Sequence, residues 1–365
     1  MSRSASPPPA LLARFEAAGF GRAEPGVLQP AEPFLDVMGE ELRQRMFLTS
    51  DAAGRELCLR PDFTIPVARL HIAGGDPARA AGYCYAGPVF RQGANGGEAS
   101  QAGVESFGRV DSFAAEAELL ALALEACALL GVAEPAIRLG DRALIDAAVD
   151  AISAPAAFRR RLKREIASGG ALEALAPAQP RRDGEHAGLI AALSAAGPEA
   201  ARGAIEDLLS LAGIAAVGGR TAGEIAERFL ERTAAHAAAL TNPEKRALDA
   251  FLAVDDPAPA ALARLQALAD RDGLAMGRAV EVFAARLEAF RAAGLPVERM
   301  RFSSRFGRRL DYYTGLVFEL APPGGGEALA GGGRYDGLIA SLGAASPSRG
   351  VGFALWLDRF GEGKP

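Results

Sequence analysis

The run Tyr312-Tyr313-Thr314-Gly315-Leu316-Val317-Phe318, followed by Gly331-Gly332-Gly333-Arg334-Tyr335-Asp336-Gly337-Leu338, narrows what this chain can fold into more than any other stretch. Its β-branched and aromatic residues suit a pleated, half-buried surface, so 312–318 reads as a strand. Successive strand side chains point to opposite faces, which predicts that the rings of Tyr312 and Tyr313 diverge and that one of them lines a pocket. The glycine triplet downstream reads as turn chemistry.

Further strand-like runs lie at 27–30, 55–59 and 83–91. Asp111 or Ser112 is placed to cap a helix that carries Glu116 and Glu118 near its start and runs to Leu130 before Gly131. From 141 to 293 the pattern changes to Ala-, Leu-, Arg- and Glu-rich segments at helical spacing. These are punctuated by Gly169-Gly170, by 177–180, by Gly218-Gly219 and by Asp255-Asp256-Pro257. Strand signals resume near Arg299-Met300-Arg301-Phe302. The expectation is an α+β fold with a discontinuous core, 1–140 and 294–365, and a predominantly helical insertion lobe, 141–293.

Half of the residues are hydrophobic but only 7% are aromatic, so the core must rest on Ala, Leu, Val and Ile. A formal charge of −5 and scattered basic residues give no footprint for a long polyanion. The clusters Arg159-Arg160-Arg161, Lys163-Arg164 and Arg181-Arg182 read as solvated helix faces, so no nucleic-acid partner is expected. Cys58, Cys84 and Cys127 lack metal spacing and sit in or beside apolar runs, as buried thiols of a reducing compartment do. The apolar stretch 119–132 is interrupted by Glu125 and is too short to span a bilayer. Residues 1–10 lack an apolar core and are expected to be frayed rather than a signal peptide, which makes the protein cytoplasmic. His186 and His236 have no ligand partners at metal spacing, and His71 is expected, like them, at a surface or capping position. No metal or cofactor is expected.

Several blocks carry a resemblance. The segment 308–319 with 331–338 resembles the histidine-recognition signature of histidyl-tRNA synthetase. Leu59-Arg60-Pro61-Asp62-Phe63-Thr64 is similar to that family's Leu-Arg-Pro-Glu-x-Thr segment, with Asp for Glu. Gly87-Pro88-Val89-Phe90-Arg91 resembles motif 2 of class II aminoacyl-tRNA synthetases, and Gln101-Ala102-Gly103-Val104-Glu105 the strand returning from it. The segment from Gly350 to Arg359 resembles motif 3. The resemblance implies an antiparallel sheet flanked by helices, a motif 1 strand ending at Pro30 in a homodimer interface, and a histidine site at matching positions. In chemical terms Asp62, Thr64 and Gln101 offer acceptors to an ammonium. Glu105 with Tyr312 or Tyr313 can orient an imidazole, and Arg91 and Arg308 can fork onto a carboxylate or phosphate. Asp62 is one methylene shorter than the family's Glu, a gap that a water can bridge.

Three departures argue against aminoacylation. Trp356 stands where motif 3 has a small Gly beside the adenine site, and an indole there hinders ATP. The loop 92–100 is short and Gly-rich without the basic residue that holds ATP and tRNA, and it reads as a hairpin connection. Only six residues follow Arg359, so no anticodon-binding domain is expected. A kept amino-acid pocket with an impaired nucleotide site resembles the regulatory-subunit family of ATP phosphoribosyltransferase. That resemblance implies a non-catalytic subunit that joins the short-form catalytic subunit, activates it at the first step of histidine biosynthesis and transmits inhibition by L-histidine. The alternative is an adenylate-forming ligase acting on a non-tRNA acceptor, since Arg91, Arg308 and Arg359 remain to hold phosphate charge.

Overall fold

The computed structural model describes residues 8–37, 43–93, 97–167, 240–271, 274–307 and 312–361, with short stretches between 200 and 221. The strands are β1 (Gly21–Arg22), β2 (Leu28–Pro30), β3 (Leu48–Ser50), β4 (Glu56–Leu59), β5 (Ala81–Phe90), β6 (Glu98–Phe107) and β7 (Ala136–Asp141). They continue with β8 (Ala216–Val217), β9 (Arg220–Thr221), β10 (Asp255–Pro257), β11 (Met300–Ser303), β12 (Leu316–Ala321), β13 (Ala330–Arg334) and β14 (Gly350–Trp356). Nine of them form one sheet in the order β1-β5-β6-β14-β13-β12-β7-β11-β10. Its centre is antiparallel, and parallel pairs occur only between β1 and β5 and between β7 and β11. A small sheet, β2-β4-β3, stands beside it.

The alternation along the central strands sorts the molecule into two sides. Cys84, Ala102, Val104, Leu316, Phe318, Leu320, Val351, Phe353 and Leu355 enter one core, which the helices cover. Tyr85, Val89, Phe107, Val317, Tyr335 and both Tyr312 and Tyr313 belong to a second, smaller cluster on the other side. The helices on the first side are α1 (Pro9–Ala17), α4 (Ser112–Leu129), α5 (Arg142–Asp150), α6 (Ala156–Ala167), α7 (Asn242–Leu252), α8 (Ala258–Arg271) and α9 (Gly277–Ala292). On the second side, α3 (Thr64–Ala73) contributes Ile65, Val67 and Ala68, α2 (Glu32–Val37) contributes Phe34, and α10 (Leu338–Ser341) contributes Leu338 and Ile339. No described helix is long and apolar enough to cross a membrane.

Local chemistry explains several boundaries. Thr241 and Glu244 form a reciprocal capping box at the start of α7. Asp141 caps α5, accepting from the Ala143 amide at 2.8 Å. At the start of α4, Asp111 makes no capping bond. Its carboxylate is taken by Arg109, two residues before it, so the expected cap is replaced by an ion pair. The expected hairpin after Phe90 is present, with β5 and β6 paired from Phe90↔Glu98 inward. Pro9 opens α1 at a first-turn position, where its missing N–H costs nothing, so Pro9 and Ala10 are helical rather than frayed.

Other expectations are revised. Asp255-Asp256-Pro257 separates α7 from α8, as expected, but does so as the edge strand β10, paired antiparallel with β11 through Asp255↔Ser303 and Pro257↔Arg301. Its proline sits where an edge strand tolerates one. The glycine triplet 331–333 is not a turn but part of central strand β13. A Cβ at Gly332 would lie 2.2 Å from the Gly352 carbonyl oxygen and 2.7 Å from Phe353 Cβ, so neighbouring strands occupy the space a side chain needs. His71 is not superficial: it lies within α3, 1% exposed, with Nδ1 3.2 Å from the Tyr83 hydroxyl and Nε2 3.0 Å from the Pro77 carbonyl. Cys58, Cys84 and Cys127 are buried free thiols, as expected. On α6, Lys163 pairs with Asp146 and Asp150, and Arg159 with Asp150, which binds α6 to α5. His186, His236 and Arg181-Arg182 lie outside the described residues.

Candidate functional site

The site is built on the second side of the sheet, where β5, β6 and β14 run side by side. Gln101, Gly103, Glu105 and Phe107 share one face of β6, and Tyr83, Tyr85 and Gly87 share the corresponding face of β5, with Tyr83 opposite Glu105 and Gly87 opposite Gln101. Gly352 of β14 lies on the other flank of Glu105. A Cβ there would come within 1.8 Å of Glu105 Oε2 and 2.6 Å of the Val104 carbonyl oxygen, so only glycine leaves room for the carboxyl group.

Glu105 is 1% exposed and collects three hydroxyl donors. Thr64 donates to Oε1 at 2.8 Å, Tyr85 donates to Oε1 at 3.1 Å, and Tyr335 donates to Oε2. Burial pushes the carboxyl up to about 8, against the pull of Tyr335, Thr64 and Tyr85 and with a further push from Asp62. The Tyr85 hydroxyl also has the Phe353 carbonyl oxygen at 3.4 Å as a second acceptor, so the cluster accommodates Glu105 in either protonation state.

Asp62 sits at the entry to α3, on a segment clamped from both sides. The Arg60 guanidinium donates to the carbonyls of Pro88 at 2.9 Å and Pro25 at 2.6 Å, and it lies 4.0 Å over the Phe63 ring. Arg91 donates from Nε to the Pro61 carbonyl at 2.8 Å. Asp62 Oδ1 accepts from the Ile65 amide at 3.4 Å. Burial raises the Asp62 carboxyl to about 6, while Arg91 and the helix amides of Ile65 and Thr64 oppose the rise. Phe63 stacks on Tyr85 at 4.4 Å, joining this segment to the Glu105 cluster.

Among the described residues, Asp62 Oδ2 and Gln101 Oε1 are buried acceptors without a hydrogen-bond partner. Buried polar groups are normally hydrogen-bonded, and acceptors that lack a donor suit a cationic one. Thr64, the third expected acceptor, already donates its proton to Glu105, which leaves its lone pairs available.

Both Tyr312 and Tyr313 are buried, but they precede β12 rather than lie in it. Their rings do not diverge. The centroids are 4.9 Å apart, and both rings face Tyr335, at 5.7 and 6.3 Å. Tyr312 stands in a turn and Tyr313 lies outside any strand, so the two-residue alternation expected of a strand does not apply there. Arg308 lies outside the described residues. The structure thus gathers Thr64, Glu105, Tyr312 and Tyr313 around Tyr85 and Tyr335, with Asp62 joined to them through Phe63, Gln101 on the same face of β6 as Glu105, and Arg91 holding Pro61. Tyr85 and Tyr335 were not singled out for the site, although Tyr85 falls in the alternation of 83–87 and Tyr335 within the Gly-Arg-Tyr-Asp motif.

Trp356 does not fill core. It is half-buried, and the Arg359 guanidinium lies 4.6 Å over its ring. Arg359 also pairs with Glu327 at 3.1 Å and donates to the Ala328 carbonyl. Arg359, one of the three arginines expected to hold phosphate charge, is therefore engaged by this chain's own groups.

The raised carboxyl of Glu105 has a measurable consequence. The native state holds a proton that the unfolded chain has released between pH 4.5 and about 8, so this group's contribution falls as pH rises through that window. Glu105→Gln keeps the shape without the charge. The variant is expected to flatten the decline in unfolding free energy between pH 5 and 8, by on the order of 3 kcal/mol at the upper end. Parallel pH dependence in both proteins, followed by urea denaturation, would show that Glu105 does not carry it.

A family model described as histidyl-tRNA synthetase matches residues 8–222 and 220–360. An ATP phosphoribosyltransferase regulatory subunit from Mesorhizobium japonicum is 43% identical over 355 residues, 94% of each chain. One from Agrobacterium fabrum is 39% identical over 369 residues, 97% of each chain. Among solved structures, an ATP phosphoribosyltransferase regulatory subunit/histidyl-tRNA synthetase from Bacillus halodurans superposes with a TM-score of 0.69 at 22% identity, covering 96% of this chain and 76% of that one. A histidine–tRNA ligase subunit from Alicyclobacillus acidocaldarius gives 0.58 at 25% identity, covering 99% and 97%. The fold is therefore the α+β architecture of the histidyl-tRNA synthetase-like class II proteins, and the chain belongs to the ATP phosphoribosyltransferase regulatory subunit family.

Proposed function

We propose that this chain is a non-catalytic subunit that pairs, as a homodimer, with a short-form ATP phosphoribosyltransferase catalytic subunit, activates it at the first step of histidine biosynthesis, and transmits inhibition by L-histidine bound beside Glu105. The observation that carries the reading is the pair of buried, unpartnered acceptors, Asp62 Oδ2 and Gln101 Oε1, next to a carboxyl and tyrosine cluster suited to an imidazole. An α-ammonium supplies the missing donors, and the ring nitrogens meet Glu105 and the tyrosine hydroxyls. Near-full-length similarity to proteins named as regulatory subunits supports the choice of partner. Inhibition requires that histidine prefer one state of the assembly, and a preference of about 1–3 kcal/mol suffices.

The test is phosphoribosyl-ATP formation by a short-form catalytic subunit, with and without this chain and with added histidine. Activity that depends on the chain and falls with histidine is expected. Activity indifferent to the chain overturns the reading. Tyr313→Phe is expected to raise the half-inhibitory histidine concentration about tenfold, the loss of roughly one hydrogen bond, while size-exclusion chromatography shows unchanged assembly. Undiminished inhibition in both Tyr313→Phe and Asp62→Asn would place histidine elsewhere.

A further inference from the structure

The segment bearing Tyr312 and Tyr313 is tied at its C-terminal end to a buried charge network that no part of the amino-acid site itself requires. The Thr314 amide donates to the Arg334 carbonyl oxygen at 2.8 Å, and the Thr314 hydroxyl accepts from the Asp336 amide at 3.0 Å. The Arg142 amide at the start of α5 donates to the Gly315 carbonyl oxygen at 2.9 Å. The segment's backbone is thus fastened to two elements, the end of β13 and the start of α5.

Both attachments lead to the same charge network. The Arg334 guanidinium donates to Glu116 Oε1, to Asp336 Oδ1 at 2.9 Å and to the Ser112 carbonyl oxygen at 2.9 Å. Glu116 of α4 turns its other oxygen to Arg286 of α9 at 2.6 Å, and Arg286 also donates to Asp141, the residue that caps α5. Arg286, Glu116 and Asp141 are each no more than 2% exposed. Taking that many charges out of water is expensive, and apolar residues of like volume would hold the same helices together at least as well. What such a network offers instead is a fixed geometry, since each carboxylate accepts from a planar fork that tolerates little rotation.

We propose that Arg334 and Arg286 are positioning residues for the amino-acid pocket, linking the Tyr312–Tyr313 segment through Glu116 and Asp141 to α5 and α9, so that filling the pocket changes the order of those two helices. This rests on the histidine-site reading above. A ligand that packs against the two tyrosines restricts the backbone at 312–315, and the restraint passes to α5 directly through Arg142 and to α9 through Arg286. The ligand response of the two helices reports this coupling directly.

The experiment is amide hydrogen exchange on the full chain with and without saturating L-histidine, with calorimetry on the same samples. In the wild type, exchange is expected to slow at 312–318 and also in α5 and α9. Arg286→Lys keeps the charge but cannot bridge Glu116 and Asp141 with one planar fork. Its expected result is a histidine-dependent slowing at 312–318 that no longer reaches α9, with histidine affinity reduced about tenfold. Arg301→Ala, which breaks a surface ion pair with Asp255, is the control and is expected to leave affinity and exchange response unchanged. Slowing confined to 312–318 in the wild type overturns the proposal whether or not Arg286→Lys folds, as does a full α9 response in that variant. No heat and no exchange change anywhere would remove the histidine site and this coupling together.

Discussion

Gly352→Ala is expected to cost about 3 kcal/mol of unfolding free energy or more and to abolish the histidine binding proposed above. A Cβ at this position would lie 1.8 Å from Glu105 Oε2 and 2.6 Å from the Val104 carbonyl oxygen. Relief requires moving either a carboxyl group that three hydroxyls hold or the backbone of β6, which is paired on both edges. Close-packed interiors do not absorb such a shift locally. Urea denaturation with histidine calorimetry measures both parts. A variant that loses less than about 1 kcal/mol and still binds histidine would mean that β14 separates from β6 at little cost, contrary to the packing described.

Glu116→Ala is expected to destabilise the protein by about 3–5 kcal/mol, because it leaves two buried guanidinium groups short of a carboxylate. Burial alone would raise the Glu116 carboxyl, but Arg286 and Arg334 outweigh it and hold it below its ordinary value. A carboxyl held low stabilises the native state above the unfolded-state value near 4.5, and that contribution is lost as pH falls through the native value. Glu116→Ala should therefore lose part of the wild type's steep acid-side decline, the reverse of the alkaline-side effect expected for Glu105→Gln. Denaturation midpoints at pH 3.5, 5 and 7 separate the two. Equal losses at all three values would show that Glu116 acts through packing rather than charge.

Much of this molecule was legible before any coordinates. The strand of 83–91 announces itself through aromatic and apolar residues, that of 101–105 only through its resemblance to the strand returning from motif 2, and the helix at 112–129 through its apolar run and the glycine after it. A hairpin after Phe90 follows from the strand that comes after the Gly-rich loop, whereas its register, which takes 98–100 of the expected loop into β6, is set by the pairing itself. What the sequence led astray was local geometry at points governed by neighbours. Tyr312 and Tyr313 look like strand residues, yet the attachment of 314–315 to Arg334 and Arg142 fixes a different path and brings the rings together against Tyr335. The glycines of 331–333 look like a turn, but β12 and β14 pair with them on both edges and make them a strand, and at Gly332 and Gly333 no side chain would fit. Asp255-Pro257 does break the helical run, and what its sequence leaves unsaid is that it pairs there as an edge strand with β11.

The same division runs through the site. By itself the sequence determined that acceptors at 62, 64, 101 and 105 and tyrosines at 312 and 313 were available, since residue type sets what a side chain can donate or accept. Tertiary structure alone decided which of those groups are already satisfied. Glu105 has its hydroxyl donors, while Asp62 Oδ2 and Gln101 Oε1 lack partners among the described residues. It also decided that Arg359 spends its charge on Glu327, Ala328 and Trp356, and that Glu116 joins two arginines more than 150 positions away. Hydrogen-bond satisfaction and buried charge pairing depend on distances of a few tenths of an ångström between residues remote in the chain. Periodicity and composition describe only near neighbours, so these distances are set when the sheet and helices pack.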